Sequence, residues 1–178
     1  MDTIQKLILD ISVARRNYLD QVVQYNQDQA QWKPGSEVWN MVEITEHLFW
    51  AEQGGILGMW KSVHAIREGM MERTHESVHK DMSIEQIIER TWQPKEKVPA
   101  TAAPRMGGPL TFWSASLNNL QTVLEAFGSY MRNDELRVLA HPHPISGPLD
   151  FHQRLEFLRF HIDRHRHQVR GLIIEMNG

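Results

Sequence analysis

Apolar side chains recur at steps of three and four residues in four long segments of the chain, which is the spacing of one helix face. The segments span residues 2–25, 40–67, 113–133 and 150–175. Each is long enough to contribute one full-length helix to a packed domain. The pattern therefore predicts four long amphipathic helices and an all-α fold.

The connections between these segments differ in length and composition. Residues 68–109 contain one short amphipathic piece, residues 83–90, followed by a stretch rich in proline and glycine. A connection this long allows the second and third helices to run in the same direction, whereas tight loops require antiparallel neighbours. Residues 141–148 hold three prolines and a glycine, so we expect a stiff loop there rather than a helix.

Composition restricts the possible functions. The chain has 178 residues, a formal charge of -3 from 19 basic and 22 acidic side chains, and no cysteine. We expect a single domain over residues 1–178 that does not bind nucleic acid, because a basic footprint is missing. Without thiolates, any metal must be held by histidine or carboxylates. No apolar run approaches the ~20 residues of a membrane span, and no signal-peptide pattern opens the chain, so we expect a cytoplasmic protein.

Two of the 10 histidines stand out because they lie on the apolar face of the fourth helix. His161 and His165 are four residues apart, about 40° around the helix axis from each other, and Leu158 and Ile162 flank them. Buried imidazole nitrogens need partners, and a divalent metal ion is one such partner. The other interpretation is a pair of core histidines whose nitrogens bond to side chains or water.

A third histidine, His47, lies in the second predicted helix. Three histidine ligands with an open fourth position are typical of catalytic zinc-type sites. The alternative is a polar residue near the start of a helix, since the sequence does not fix the face on which His47 lies.

The last helix carries a spaced motif. It consists of His161, three residues, His165, two residues and Gln168, with Arg164 just before the second histidine and the loop 141–148 upstream. A second motif lies at the second helix, where Trp39-Asn40 opens the helix and Glu46-His47-Leu48 follows. These two motifs resemble those of the DinB/YfiT-like superfamily, and helix count and order agree along essentially the whole chain.

The resemblance implies a four-helix bundle in up-down-down-up order, with the long crossover between helices two and three, often forming a homodimer. It implies Ni or Zn bound by His47, His161 and His165, with water in the open position. Some members are transferases or isomerases that use low-molecular-weight thiols. We therefore expect a metal-dependent thiol S-transferase or hydrolase acting on a small molecule. The alternative is a non-catalytic metal-binding or interaction bundle involved in stress response.

The sequence indicates the residues that would transfer a proton less clearly than it indicates the metal ligands. Glu43 precedes His47 by one turn and would suit a general base, but it equally suits a capping box with Asn40. His141 and His143 lie in the proline-rich loop before the last helix, where either could reach over the bundle end as a proton carrier. Turn formation is the alternative for both.

Small residues follow His47 along the same helix face, at Ala51, Gly54 and Gly58. Glycine inside a helix costs about 0.5–1 kcal/mol relative to alanine, so these positions need a reason. Either another helix packs closely there, or the missing side chains leave a pocket beside the metal. Close packing is favoured slightly because it requires no ligand.

Overall fold

The computed structural model describes residues 1–72, 78–92 and 97–178. Within these ranges six α-helices and one short hairpin follow each other along the chain. They are α1 (Thr3–Val22), α2 (Gln27–Gln31), α3 (Met41–Arg67), α4 (Ile84–Thr91), α5 (Leu110–Tyr130), strands β1 (Ala140–His143) and β2 (Gly147–Asp150), and α6 (Phe151–Asn177), with a single 3₁₀ turn at Asn133–Glu135.

Most helices begin at a polar side chain that accepts a hydrogen bond from a backbone amide left free by the first turn. At the start of α3, Asn40 Oδ1 accepts from Glu43 N at 2.9 Å, and Asn40 N donates to the Glu43 carboxylate at 2.9 Å. Helix α5 follows Pro109 and has no cap of its own, but Gln27 of α2 supplies an acceptor for Leu110 N at 2.9 Å. The contacts between Asn40 and Glu43 confirm the capping box predicted for the second long helix, which is α3.

The four long helices form a ring of contacts. Helix α1 packs against α5 and α6, and α3 packs against the same two helices. Large side chains fill the space between them, among them Tyr18, Leu48, Trp113, Phe127 and Leu158. Burial of one such apolar side chain stabilises the fold by about 1.5–3 kcal/mol. The prediction of a mainly helical fold is therefore confirmed.

The segment 141–148 differs from the prediction, because it contains two antiparallel strands and not only a loop. The register pairs His141 with Leu149 and Pro142 with Pro148. Neither proline has an amide hydrogen, so this pair occupies a non-hydrogen-bonded position, and the flanking pairs provide the ladder. Gly147 supplies the positive φ of 71° required at the turn. The prolines that suggested a loop are thus compatible with a short hairpin.

The predicted crossover between α3 and α5 includes residues 73–77 and 93–96, which lie outside the described residues. Its predicted amphipathic piece forms α4, which packs against α6. Ile84 and Ile87 of α4 join Leu149 and Phe157 in a second small apolar cluster. Within the described ranges, none of the helices has the length and apolar character required to cross a membrane.

Candidate metal centre

Three imidazole rings meet between α3 and α6. The Nε2 atom of His161 lies 3.2 Å from Nε2 of His47 and 3.1 Å from Nε2 of His165. His161 and His165 share one face of α6, and α3 brings His47 against that face. In the part of the chain that the structure describes, this is the cluster of histidine and acidic side chains whose atoms lie close enough to hold a metal ion.

The outer ring nitrogens fix which atoms face the centre. His47 Nδ1 donates to the carbonyl of Ala102 at 2.8 Å, and His165 Nδ1 donates to Gln168 Oε1 at 2.8 Å. Because a neutral imidazole carries one proton, the Nε2 atoms of both rings then have free lone pairs. Such contacts orient histidine ligands in metal sites. One proton on His161 could satisfy only one of these two lone pairs.

The spacing of the nitrogens fits a metal ion. Ligand bonds of about 2.0–2.1 Å at tetrahedral angles place neighbouring nitrogens about 3.3 Å apart. The observed separations of 3.2 and 3.1 Å come within a few tenths of an ångström of this value. Three neutral nitrogens with converging lone pairs are therefore a suitable donor set for a divalent ion.

Burial keeps these rings neutral. All three histidines are less than a tenth exposed. Removal from water lowers the pKa of His47, lowers that of His161 well below its usual range, and lowers that of His165 to about 3. Neighbouring positive charge acts in the same direction but is smaller. Since only neutral imidazole binds metal, the site is ready for an ion at neutral pH.

A cavity of about 900 Å³ lies beside the three rings. Tryptophan side chains form much of its wall, at Trp39, Trp50 and Trp92. Four of its lining residues are basic and one, the exposed Glu37, is acidic among the residues that the structure describes. The cavity is large enough for a small organic molecule, and its wall carries an excess of positive charge.

The structure gives Glu43 the capping role. Its carboxylate accepts from Asn40 N and from Lys33 Nζ, at 2.8 and 3.0 Å for the two oxygens on Lys33. It is not among the described residues that line the cavity. The two roles considered for Glu43 exclude each other, and the observed contacts are those of the capping box.

Glu46, beside the first histidine, holds a loop. Its carboxylate is fully buried and accepts from the backbone amides of Arg105, Met106 and Gly107 at 2.8–2.9 Å. Burial alone would raise the pKa of Glu46, but the three amides outweigh it and hold the pKa below its usual value. Glu46 thereby anchors the segment whose Ala102 carbonyl orients His47.

His141 and His143 both line the cavity, one on each side of Pro142. His141 Nδ1 lies 3.0 Å from Ser62 Oγ, and burial lowers its pKa to about 4. His143 Nδ1 accepts from the amides of Ile145 and Ser146, so its proton is on Nε2. The hairpin thus brings both rings to the pocket, and His143 also performs the turn function considered for it.

These observations can be compared with known proteins. The family model described as the DinB superfamily matches residues 11–169. This chain belongs to the DinB superfamily. The resemblance recognised from the two histidine motifs is confirmed, and the buried three-histidine cluster lies at those motifs.

A solved structure of a conserved protein from Enterococcus faecalis is similar to this member of the DinB superfamily. The two chains share 13% sequence identity and superpose with a TM-score of 0.61, over 97% of this chain and 95% of the other. At this identity the likeness concerns the fold alone. A search of curated proteins gives no match.

The small residues after His47 serve two different purposes in this DinB-superfamily chain. A Cβ atom at Gly58 would lie 2.3 Å from His141 Nε2, so the hairpin packs directly on this glycine. At Gly54, which lines the cavity, a Cβ atom would meet nothing within 4 Å. Close packing therefore explains Gly58, with a hairpin ring in place of another helix, and open space explains Gly54.

Arg154 lines the cavity and is 5% exposed, and it was not predicted as a site residue. It precedes His161 by seven residues, so it lies on the metal-facing side of α6, about 20° from His161. The seven-residue spacing between Arg154 and His161 is the sequence feature from which its position could have been predicted. The contact of His47 with the Ala102 carbonyl had no such feature, because it joins residues 55 positions apart.

Proposed function

We propose that His47, His161 and His165 bind one divalent metal ion through Nε2, with an open coordination position toward the cavity. The observation that carries this proposal is the convergence of three Nε2 atoms, on two of which the outer Nδ1 contacts leave a free lone pair. Membership of a superfamily whose proteins commonly bind metal supports it. The function that follows is metal-dependent chemistry on a small molecule, of the thiol S-transferase or hydrolase type.

With a divalent ion held by His47, His161 and His165, the site would supply Lewis-acid activation of water or of a thiol near neutral pH. The chain's own residues supply the rest. Ala102 and Gln168 orient the ligand rings, the tryptophan-lined wall excludes water from a bound substrate, and Glu46 fixes the segment above His47. His141 remains our candidate for carrying a proton, since its ring lines the cavity and is neutral.

A second function, non-catalytic binding of metal or a small molecule, is favoured by one observation. Glu43, the carboxylate considered as a general base, and Glu46, next to His47 in the sequence, are both bonded to other parts of the chain. A carboxylate suited to general-base catalysis is therefore not found next to the histidines within the described residues. Replacement of His141 by Asn tests the catalytic function, because an enzyme that uses His141 to carry a proton would lose turnover while it retains ligand affinity, whereas a binding protein has no turnover to lose.

Several finer expectations belong to the same proposal. Nickel and zinc are the ions that we propose, since three imidazoles suit both. The four contacting helices support an up-down-down-up bundle, and we propose that it forms a homodimer in the cytoplasm, with a low-molecular-weight thiol as its co-substrate. Sedimentation of the purified chain tests the dimer, independently of the metal.

Elemental analysis of protein purified without a histidine tag tests the metal site. We expect about one divalent ion per chain, and loss of stoichiometric metal when His165 is replaced by Ala. His167→Ala is the matched control, because His167 is exposed on the same helix and its Nδ1 donates to the carbonyl of Asp163 at 2.7 Å. Equal metal content in the two variants would contradict the ligand assignment.

A further inference from the structure

Arg154 is a buried cation that has no acidic partner among the residues that the structure describes. Its side chain is 5% exposed, and its Nε and Nη1 atoms have no hydrogen-bond partner among the described residues. A guanidinium group carries five N–H donors, and unpaired buried donors are costly. Burial alone lowers the pKa of Arg154 to about 10, which still leaves the group charged at neutral pH.

The surroundings of Arg154 do not compensate this charge. Its aromatic neighbour Phe157 lies with its ring centroid 5.8 Å from the guanidinium carbon. The nearby titratable groups are His141 and His143, whose pKa values Arg154 lowers further. In the described part of the chain, ion pairs satisfy other arginines but do not include this one.

A glycine of the facing helix α3 leaves room for the guanidinium group of Arg154. A Cβ atom at Gly55 of α3 would lie 3.2 Å from Arg154 Nη2 and 3.3 Å from the side chain of Leu158. A larger residue at position 55 would therefore push the guanidinium out of its place. Arg154 lines the cavity, so a molecule inside it would lie against this side chain.

We propose that Arg154 is the anchor for a carboxylate group of the ligand that enters the cavity. The planar guanidinium group binds a carboxylate through two parallel hydrogen bonds. Arg154 and His161 are seven residues apart, which separates their backbones by about 10 Å along α6. The ligand is thus a small organic acid with its carboxylate at Arg154 and its reactive group toward the histidines.

A singly charged carboxylate fits better than phosphate or sulfate. Arg154 supplies one buried positive charge, and a group with a single negative charge neutralises it. A phosphate group with a charge near −2 would leave an excess negative charge beside Phe157 and Leu158, which is unfavourable in apolar surroundings. The exposed cations of the wall, including Arg105 and Arg164, attract anions toward the cavity without selecting among them.

This inference rests on the proposed function only for the placement of the ligand's reactive group at the three histidines. Anion binding at Arg154 requires no metal, so the two proposals can fail separately. We expect glutarate to bind the protein as purified, the chelated protein and the metal-free His165→Ala variant. Loss of glutarate binding in the last two alone would overturn an Arg154 anchor and leave a metal-dependent one.

The test is calorimetric titration with glutarate at constant ionic strength, with uncharged glutaramide and with inorganic phosphate as comparison ligands. We expect glutarate to bind, and its dissociation constant to rise at least tenfold in Arg154→Gln. Arg170→Gln is the matched control, since it removes the same charge from an exposed position of α6. Equal affinity in wild type and Arg154→Gln, no binding of glutarate to the wild type, or tighter binding of phosphate would overturn the proposal.

A structural role for Arg154 makes a different prediction for stability. Arg154→Met removes an unpaired charge and retains most of the volume, so we expect the melting temperature of the ligand-free protein to stay constant or rise. A clear fall would assign Arg154 to the fold. Nuclear magnetic resonance of the wild type provides a check that needs no variant, because the Arg154 Nε–H signal should move with glutarate and not with glutaramide.

Discussion

Two buried arginines, Arg15 and Arg154, have very different surroundings in this protein. Arg15 of α1 contacts the Glu52 carboxylate on α3 and Gln121 on α5, and both charged side chains are 3% exposed or less. Arg154 on α6 is buried to a similar degree without an acidic partner among the described residues. In one region the protein's own side chains pair the charge, and in the other the unpaired donors belong to a side chain that lines a cavity.

The contrast between the two arginines indicates where a ligand is expected. A buried ion pair that joins three helices does not need a further molecule, although Arg15 Nε and one Glu52 oxygen still have no partner within the described residues. A lone guanidinium beside three converging imidazoles leaves donors and lone pairs unused. Buried polar groups are usually satisfied, so unused groups of both kinds in one cavity point to an occupant.

The largest effect should come from breaking the ion pair between Arg15 and Glu52. Glu52→Gln leaves Arg15 buried without a negative partner, and removal of one member of a buried ion pair typically costs about 3–5 kcal/mol. For a domain of this size that corresponds to a fall in melting temperature of roughly 6–20 °C. Thermal unfolding followed by circular dichroism measures it.

The double variant Arg15→Met with Glu52→Leu is the control for this prediction. Replacement of both partners by apolar residues is often neutral or stabilising, because the desolvation cost disappears with the pair. We therefore expect the double variant to melt well above Glu52→Gln. If Glu52→Gln melts within a degree of the wild type, the ion pair between α1 and α3 does not contribute to the stability of the bundle.

Sequence periodicity predicted the helices and two of the three histidine positions because both depend on local spacing. Residues four apart lie on the same face of a helix, as His161 and His165 do. Asn40 and Glu43 are likewise close in sequence and form a local capping pair. Arg15 was not recognised as buried, since its partner Glu52 is 37 residues away. The hairpin at 140–150 was also missed, because pairing of Pro142 with Pro148 is visible only in the register.

A smaller loss of stability is expected where the hairpin touches α3. Gly58→Leu introduces a side chain whose first carbon already lies 2.3 Å from His141 Nε2, and overpacking of this kind typically costs about 1–3 kcal/mol. The melting temperature should fall by several degrees. Gly54→Ala is the control, because its Cβ atom meets open space and alanine is the better helix former.

The pocket histidines should make the metal-free protein sensitive to acid. Burial lowers the pKa of His143 to about 3, whereas an unfolded histidine titrates near ~6.5. Between these values the unfolded chain binds a proton that the folded chain does not, so stability falls as pH falls below about 6.5. By pH 5 this single group should cost roughly 1–2 kcal/mol, measured by urea unfolding after chelation.

His143→Asn isolates this contribution. The Asn oxygen can accept from the amides of Ile145 and Ser146 as His143 Nδ1 does, but the amide does not titrate. We expect a shallower loss of stability from pH 7 to pH 5 in this variant than in the wild type. The exposed His64→Asn serves as control. Identical pH profiles for all three proteins would contradict a neutral, buried His143.

The smallest effect concerns the contact that orients one ligand ring. His165 Nδ1 donates to Gln168 Oε1 at 2.8 Å, which keeps Nε2 free of its proton and directed toward the other two histidines. Gln168→Leu removes the acceptor. Loss of such outer contacts typically weakens metal binding by 10–100-fold. Gln168 is exposed, so water can replace it in part, and we expect a decrease in zinc affinity of about tenfold.

Gln168→Glu distinguishes this orienting role from simple packing. A carboxylate accepts the same hydrogen bond, and its negative charge makes the imidazole a stronger donor to a cation. We therefore expect zinc affinity in Gln168→Glu to equal or exceed that of the wild type, with Gln168→Leu about tenfold weaker, as measured by competition with a chelator. If the Gln168→Leu and Gln168→Glu variants bind zinc equally well, Gln168 does not orient His165.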